Sequence, residues 1–133
     1  RIFKTFTFGY NTIIYDYCNQ MSAMYKNVDL VLSRSGAMTI AELIKFEKPS
    51  ILIPFKYSSE NHQHYNARFL QDNLCSKLIE EDNFNENTFI SSLKNLSQND
   101  RILDSMKSNF KNIAIPDTLS LISDYILEKK YAL

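Results

Sequence analysis

The chain has 133 residues, 44% of them hydrophobic, with nine Phe and eight Tyr, which is enough for one globular domain with a real core and gives no sign of disorder. Fifteen basic residues balance fifteen acidic ones, and Lys and Arg form no stripe, which argues against a nucleic-acid partner. No uninterrupted apolar run approaches the roughly 20 residues needed to cross a bilayer, and Cys18 and Cys75 lie far apart without a C-x-x-C motif, so we expect reduced thiols in a cytoplasmic setting and neither disulfide nor metal staples.

Arg1 to Tyr10 is rich in Phe and Thr without a clean period, and the chain reads as if it opens in mid-element, so a piece of something longer is expected. Thr12 to Tyr17 is a β-branched and aromatic run that predicts a strand. Met21, Met24, Tyr25 and Val28 follow at i, i+3, i+4 and i+7, the spacing of a short helix with one buried face. Val28, Leu30, Val31 and Leu32 then predict a strand buried on both faces, broken at Ser33-Arg34-Ser35-Gly36. A helix from Ala37 to about Phe46 carries Ala37, Ile40, Ala41 and Ile44 on one side, and Ser50 to Pro54 is the next buried strand. A polar loop from Phe55 to Asn61 leads into a helix through Leu70, and Lys77 to Glu80 reads as a last short strand. Asn85 to Leu96 predicts a capped helix, Ile102, Met106 and Phe110 a following one, and Pro116-Asp117 open a final helix that closes on Lys129 and Lys130. Strands alternating with helices over short links imply an α/β fold, a doubly wound Rossmann-like parallel sheet with flanking helices.

In such folds ligands bind where a strand turns into a helix, and the Ser33 to Gly36 turn is that place. Ser35 is the expected N-cap, Gly36 permits close approach, and the first-turn amides offer an anion both donors and the positive end of the helix dipole. Glu42, about two turns on, can return to the same mouth and accept from neighbouring hydroxyls, as acidic residues do for ribose. Arg34 suits a diphosphate and equally an ordinary salt bridge. On these residues alone, a capped helix after a core strand explains the turn slightly better than an anion site does, because a lone Ser-Gly turn is a weak signal.

Two other chemistries fail on pattern. A hydrolase elbow built on Ser35, with His62 as base, needs G-x-S-x-G, whereas Ser33 and Arg34 stand where small residues permit the strained turn. His62 and His64 diverge at i, i+2 on a helix with no third ligand beside them, so no metal site is expected.

Four stretches in one order carry a resemblance: Val28 to Glu42, Pro49 to Phe55, N-H-Q-H-Y-N-A from Asn61 to Ala67, and I-P-D from Ile115 to Asp117. Together they resemble the C-terminal half of the bacterial N-acetylglucosaminyltransferases of glycosyltransferase family 28, which have the GT-B fold. The match runs in register from about Tyr15 to the C-terminus, with a small length change between Lys56 and Glu60. The resemblance implies that residues 1–133 form a UDP-GlcNAc (donor) binding domain, lacking its first elements, with the N-terminal acceptor domain absent. It implies an inverting transfer of GlcNAc to an undecaprenyl-diphosphate-muramyl-pentapeptide acceptor in peptidoglycan synthesis, carried out peripherally at the cytoplasmic face of the bacterial inner membrane without a metal or other cofactor. By position, Cys18 would read the uracil through its backbone, with Tyr17 and Met21 flanking the base. Ala37, Met38 and Thr39 would meet the diphosphate and sugar, Glu42 the ribose, and Gln63 the GlcNAc hydroxyls with Asn66 close by. His62 departs from the Gln of some members. No catalytic residue is implied within this stretch. A free-standing donor subunit of a dolichol-linked GlcNAc transferase and a non-catalytic nucleotide-binding module are the alternatives.

Overall fold

The computed structural model describes residues 15–97 and 100–113. Within them, β1 (Val31–Ser33), β2 (Ser50–Leu52) and β3 (Ser76–Leu78) form a parallel sheet in the order β1-β2-β3. Leu32 lies opposite Ile51, and Ile51 opposite Lys77. The helices are α1 (Met21–Lys26), α2 (Ala37–Lys45), α3 (His62–Asp72), α4 (Glu86–Ser97) and α5 (Asp100–Asn109). Parallel neighbours cannot be joined by a hairpin, so α2 carries the chain from β1 back to β2, and α3 from β2 back to β3.

The period-2 alternation of a strand divides the core into two layers. On one face Leu52 packs with Tyr25, Ile40, Leu43, Ala67 and Leu70, and Val31 and Leu78 join from the flanking strands. On the other, Ile51 and Ile53 pack with Leu96 and Met106, joined by Leu30 and Ile79. Helices α1 to α3 therefore cover one face and α4 and α5 the other, the layering that a parallel sheet needs to hide both of its sides. Phe110 and Ile113, after α5, return to the first face.

Burial on both faces holds for β2, where Ser50, Ile51 and Leu52 are all buried, but not for β1. Leu32 is 47% exposed, because among the described residues β1 pairs with β2 alone and its free side opens on a groove. The strand expected over Thr12 to Tyr17 is not found in its described part, Tyr15 to Tyr17, which is irregular. The rest of that run, the segment from Arg1 to Tyr10 and the final helix from Pro116 lie outside the described residues.

Two helix ends aim the chain into the next strand. After α2, Glu47 adopts φ 50°, its amide donates to Ile44 O at 3.1 Å, and Lys48 N donates to Leu43 O at 3.0 Å. After α3, Leu74 adopts φ 57°, its amide donates to Gln71 O at 2.8 Å, and Cys75 N donates to Leu70 O at 2.9 Å. Both are Schellman closures built without glycine, so each holds a side chain in the left-handed region at a cost of about 1 kcal/mol.

Candidate functional site

The turn from β1 into α2 comprises Arg34, Ser35 and Gly36, with Gly36 as N-cap at φ −62° and ψ 153°. No side chain caps the helix, and the first backbone bond runs from Ile40 N to Gly36 O at 3.0 Å. The amides of Ala37, Met38 and Thr39 are thus left without a side-chain acceptor, which keeps the positive end of the dipole available. A β-carbon on Gly36 would meet nothing within 4 Å, so the protein's own packing does not demand glycine there.

Ser35 does not cap α2 as the sequence suggested. It is fully buried, and its hydroxyl donates to Gln63 O at 2.7 Å while its own carbonyl accepts from Asn66 Nδ2 at 3.0 Å. A burial site one residue before the cap turns the serine inward, so Ser35 and Asn66 brace the start of α2 against the first turns of α3. Arg34 takes the salt-bridge role: its guanidinium donates to Ile53 O at 3.3 Å, to Pro54 O at 3.2 Å and to Glu81, and lies 5.7 Å from the Phe55 ring centroid.

Glu81 also accepts from Lys56 N at 2.9 Å, and Lys56 Nζ pairs with Asp82 at 2.6 Å. The Arg34 bond first, and the Lys56 amide second, hold the Glu81 carboxyl below the usual carboxylate range. This network ties together the segments that follow all three strands, at the end of the sheet where a Rossmann-like fold places its ligand. Gln63 Oε1 accepts from Phe55 N at 3.0 Å, which fixes the side-chain oxygen and leaves the amide hydrogens for another acceptor. His62 is exposed at the start of α3 with Nε2 3.4 Å from Glu60, and His64 Nδ1 lies 2.9 Å from Glu80.

Beside this turn, α1, β1 and α2 enclose an open groove of about 420 Å³. Met21, Met24, Val28, Leu32, Thr39 and Glu42 are on its wall. Apolar side chains thus flank a single carboxylate. Tyr25 OH, also on the wall, donates to Glu42 Oε2 at 3.1 Å. The structure accordingly gathers Met21, Thr39 and Glu42 into the groove, with Gly36, Ala37 and Met38 on the adjoining helix start. Tyr17, 80% exposed, and Cys18 precede α1 and are not part of the groove wall. Sequence reasoning missed Tyr25, which reads as one more apolar position of α1, and Glu81, which sits in an unremarkable acidic run; only their partners give them a role.

Burial pushes the Cys75 thiol up to about 11, which keeps it protonated and unreactive at neutral pH. Among the described residues no group of three or more His, Cys, Asp and Glu is arranged to hold a metal, and no helix is long and apolar enough to cross a membrane.

Residues 2–121 match the model of the glycosyltransferase family 28 C-terminal domain. Among curated proteins, the UDP-N-acetylglucosamine–N-acetylmuramyl-(pentapeptide) pyrophosphoryl-undecaprenol N-acetylglucosamine transferase of Campylobacter fetus is 33% identical over 91% of this chain and 35% of its own length. The protein of the same name from Prochlorococcus marinus is 39% identical over 90% of this chain and 36% of its own. The chain therefore spans about a third of the curated relatives it matches. The crystal structure of Acinetobacter baumannii MurG superposes with a TM-score of 0.73 at 23% identity, covering 84% of this chain and 32% of that one, a likeness of fold.

Proposed function

The chain belongs to glycosyltransferase family 28 as a C-terminal domain, and from that premise we propose that it is the donor-binding domain of an N-acetylglucosaminyltransferase. The substrate is UDP-GlcNAc, and the acceptor is a lipid-linked muramyl pentapeptide met by a separate N-terminal domain at the cytoplasmic face of the membrane. The observation that carries the proposal is the uncapped start of α2 standing next to an open groove whose wall includes Glu42. A uridine lies against Met21 and Met24, its ribose hydroxyls reach Glu42, and the diphosphate rests on the amides of Ala37, Met38 and Thr39.

The chemistry follows from that placement. Transfer of GlcNAc to the acceptor hydroxyl leaves UDP carrying the negative charge that the glycosidic bond had shared. Preorganised amides at a helix start stabilise such charge as it develops, without the reorganisation that water would need. Gln63, its oxygen fixed by Phe55 N, points its amide hydrogens at sugar hydroxyl oxygens. Arg34 acts at one remove by holding the loop after β2, and Ser35 and Asn66 by bracing α2 on α3. His62, Tyr17 and Cys18 border the site, the last two from the segment that enters α1.

Calorimetric titration of UDP into the intact enzyme tests this. Glu42→Ala is expected to weaken UDP by about 1.5 to 3 kcal/mol, the range for hydrogen bonds to a charged group. Unchanged affinity in a folded variant would remove the ribose role from Glu42.

A further inference from the structure

Glu42, the single carboxylate on the groove wall, has a partner within the protein. Its Oε2 accepts from Tyr25 OH at 3.1 Å, across 17 residues of sequence. Tyr25 is itself immobilised: it is 5% exposed, and its ring stacks on Phe46 with centroids 5.3 Å apart and planes 12° from parallel. A carboxylate on a flexible glutamate loses rotamer freedom when it binds a diol, and a fixed donor on one oxygen removes that freedom beforehand. The other oxygen is then presented at a set angle to the groove. We propose that Tyr25 is a positioning residue that holds the Glu42 carboxylate for a ribose, so that this α1–α2 bond sets the preference for ribo- over deoxyribonucleotides.

The inference rests on the reading of the groove as a nucleotide site. Burial, and then the bond to Glu42, push the Tyr25 hydroxyl up to about 12, so it stays protonated and remains the donor throughout the neutral range. The opposing view is that the bond merely staples α1 to α2. The two differ in what they do to ligand choice, since a staple alters both kinds of nucleotide alike.

The test is Tyr25→Phe, which keeps the ring on Phe46 and removes only the hydroxyl, measured in the intact enzyme with UDP and with 2′-deoxy-UDP. The expected result is a three- to tenfold fall in UDP affinity and a smaller fall for 2′-deoxy-UDP, which offers Glu42 one hydroxyl where UDP offers two, in a variant that still melts cooperatively. In a Glu42→Ala background, Tyr25→Phe should cause no further loss of UDP affinity. A UDP to 2′-deoxy-UDP ratio that survives Tyr25→Phe while Glu42→Ala abolishes it would overturn the positioning role and leave the nucleotide site standing. Failure of the wild-type enzyme to bind UDP at all would overturn both.

Discussion

At Gly36 the backbone conformation is one that any L-residue adopts, and the space around its missing β-carbon is open. Glycine is therefore not explained by the turn, and the proposed function accounts for it by a diphosphate that comes close to the backbone. Gly36→Ala is expected to fold with equal or slightly greater stability, since alanine restricts the unfolded chain, and to lose at least about tenfold in UDP affinity, or roughly 1.4 kcal/mol. Unaltered UDP binding in that variant would mean that nothing approaches the glycine. At Gln63 the side-chain oxygen accepts from the Phe55 amide, and the proposed function gives the remaining amide hydrogens to the sugar. Gln63→Ala should impair UDP-GlcNAc more than UDP; equal losses would assign the residue to loop support alone. Gly36 and Glu42 are proposed as site residues from the sequence because they flank a strand-to-helix turn, and the structure places Gly36 at the N-cap of α2 and Glu42 on the groove wall. Ser35 was legible as important but assigned the wrong task, since a serine before a helix suits a cap and only packing against α3 reveals that it turns inward.

The elements that the site depends on are the two helix starts and the loop between β2 and α3. That loop carries consecutive left-handed residues, Glu60 at φ 48° and Asn61 at φ 57°, and is held at its near end by Glu81. Because the folded Glu81 carboxyl titrates below its unfolded value, its contribution is present above the ordinary carboxylate range and disappears as pH falls through the lower folded value. Hydrogen exchange should accordingly find the Lys56 amide equally protected from neutral pH down to about 5, with protection lost only below the ordinary carboxylate range. Loss beginning well above pH 5 would show that Glu81 is not the clasp. Helices were read to within a few residues, as α2, α3 and α4 illustrate, because their apolar stripes and polar flanks agree. At α4 the cap was legible too, and Asn85 and Thr88 satisfy each other's amides at 3.0 Å. The strand before the turn was placed three residues early, starting at Val28 where β1 starts at Val31, because an apolar run does not say which of its residues finds a hydrogen-bonding partner. The left-handed closures at Glu47 and Leu74 carried no signal, since neither residue is one that the conformation favours.

Across the whole molecule, a parallel sheet covered on both faces brings the ends of β1, β2 and β3 to one edge, and everything assigned to ligand binding lies at or beside that edge. Alternating strand and helix made this architecture legible in advance, because short links leave a parallel sheet with crossover helices as the arrangement that buries both faces. Which residues form the groove was not legible in the same way, since it takes α1, β1 and α2 together to make it. The central claim is that a uridine diphosphate lies along that groove with its phosphates on the start of α2. The most direct measurement is the change in backbone amide resonances when UDP is titrated into the isotopically labelled intact protein. The account predicts saturable shifts that are largest at Gly36, Ala37, Met38 and Thr39 and extend to Met21 and Glu42. Saturable binding with shifts confined to other parts of the fold would contradict it.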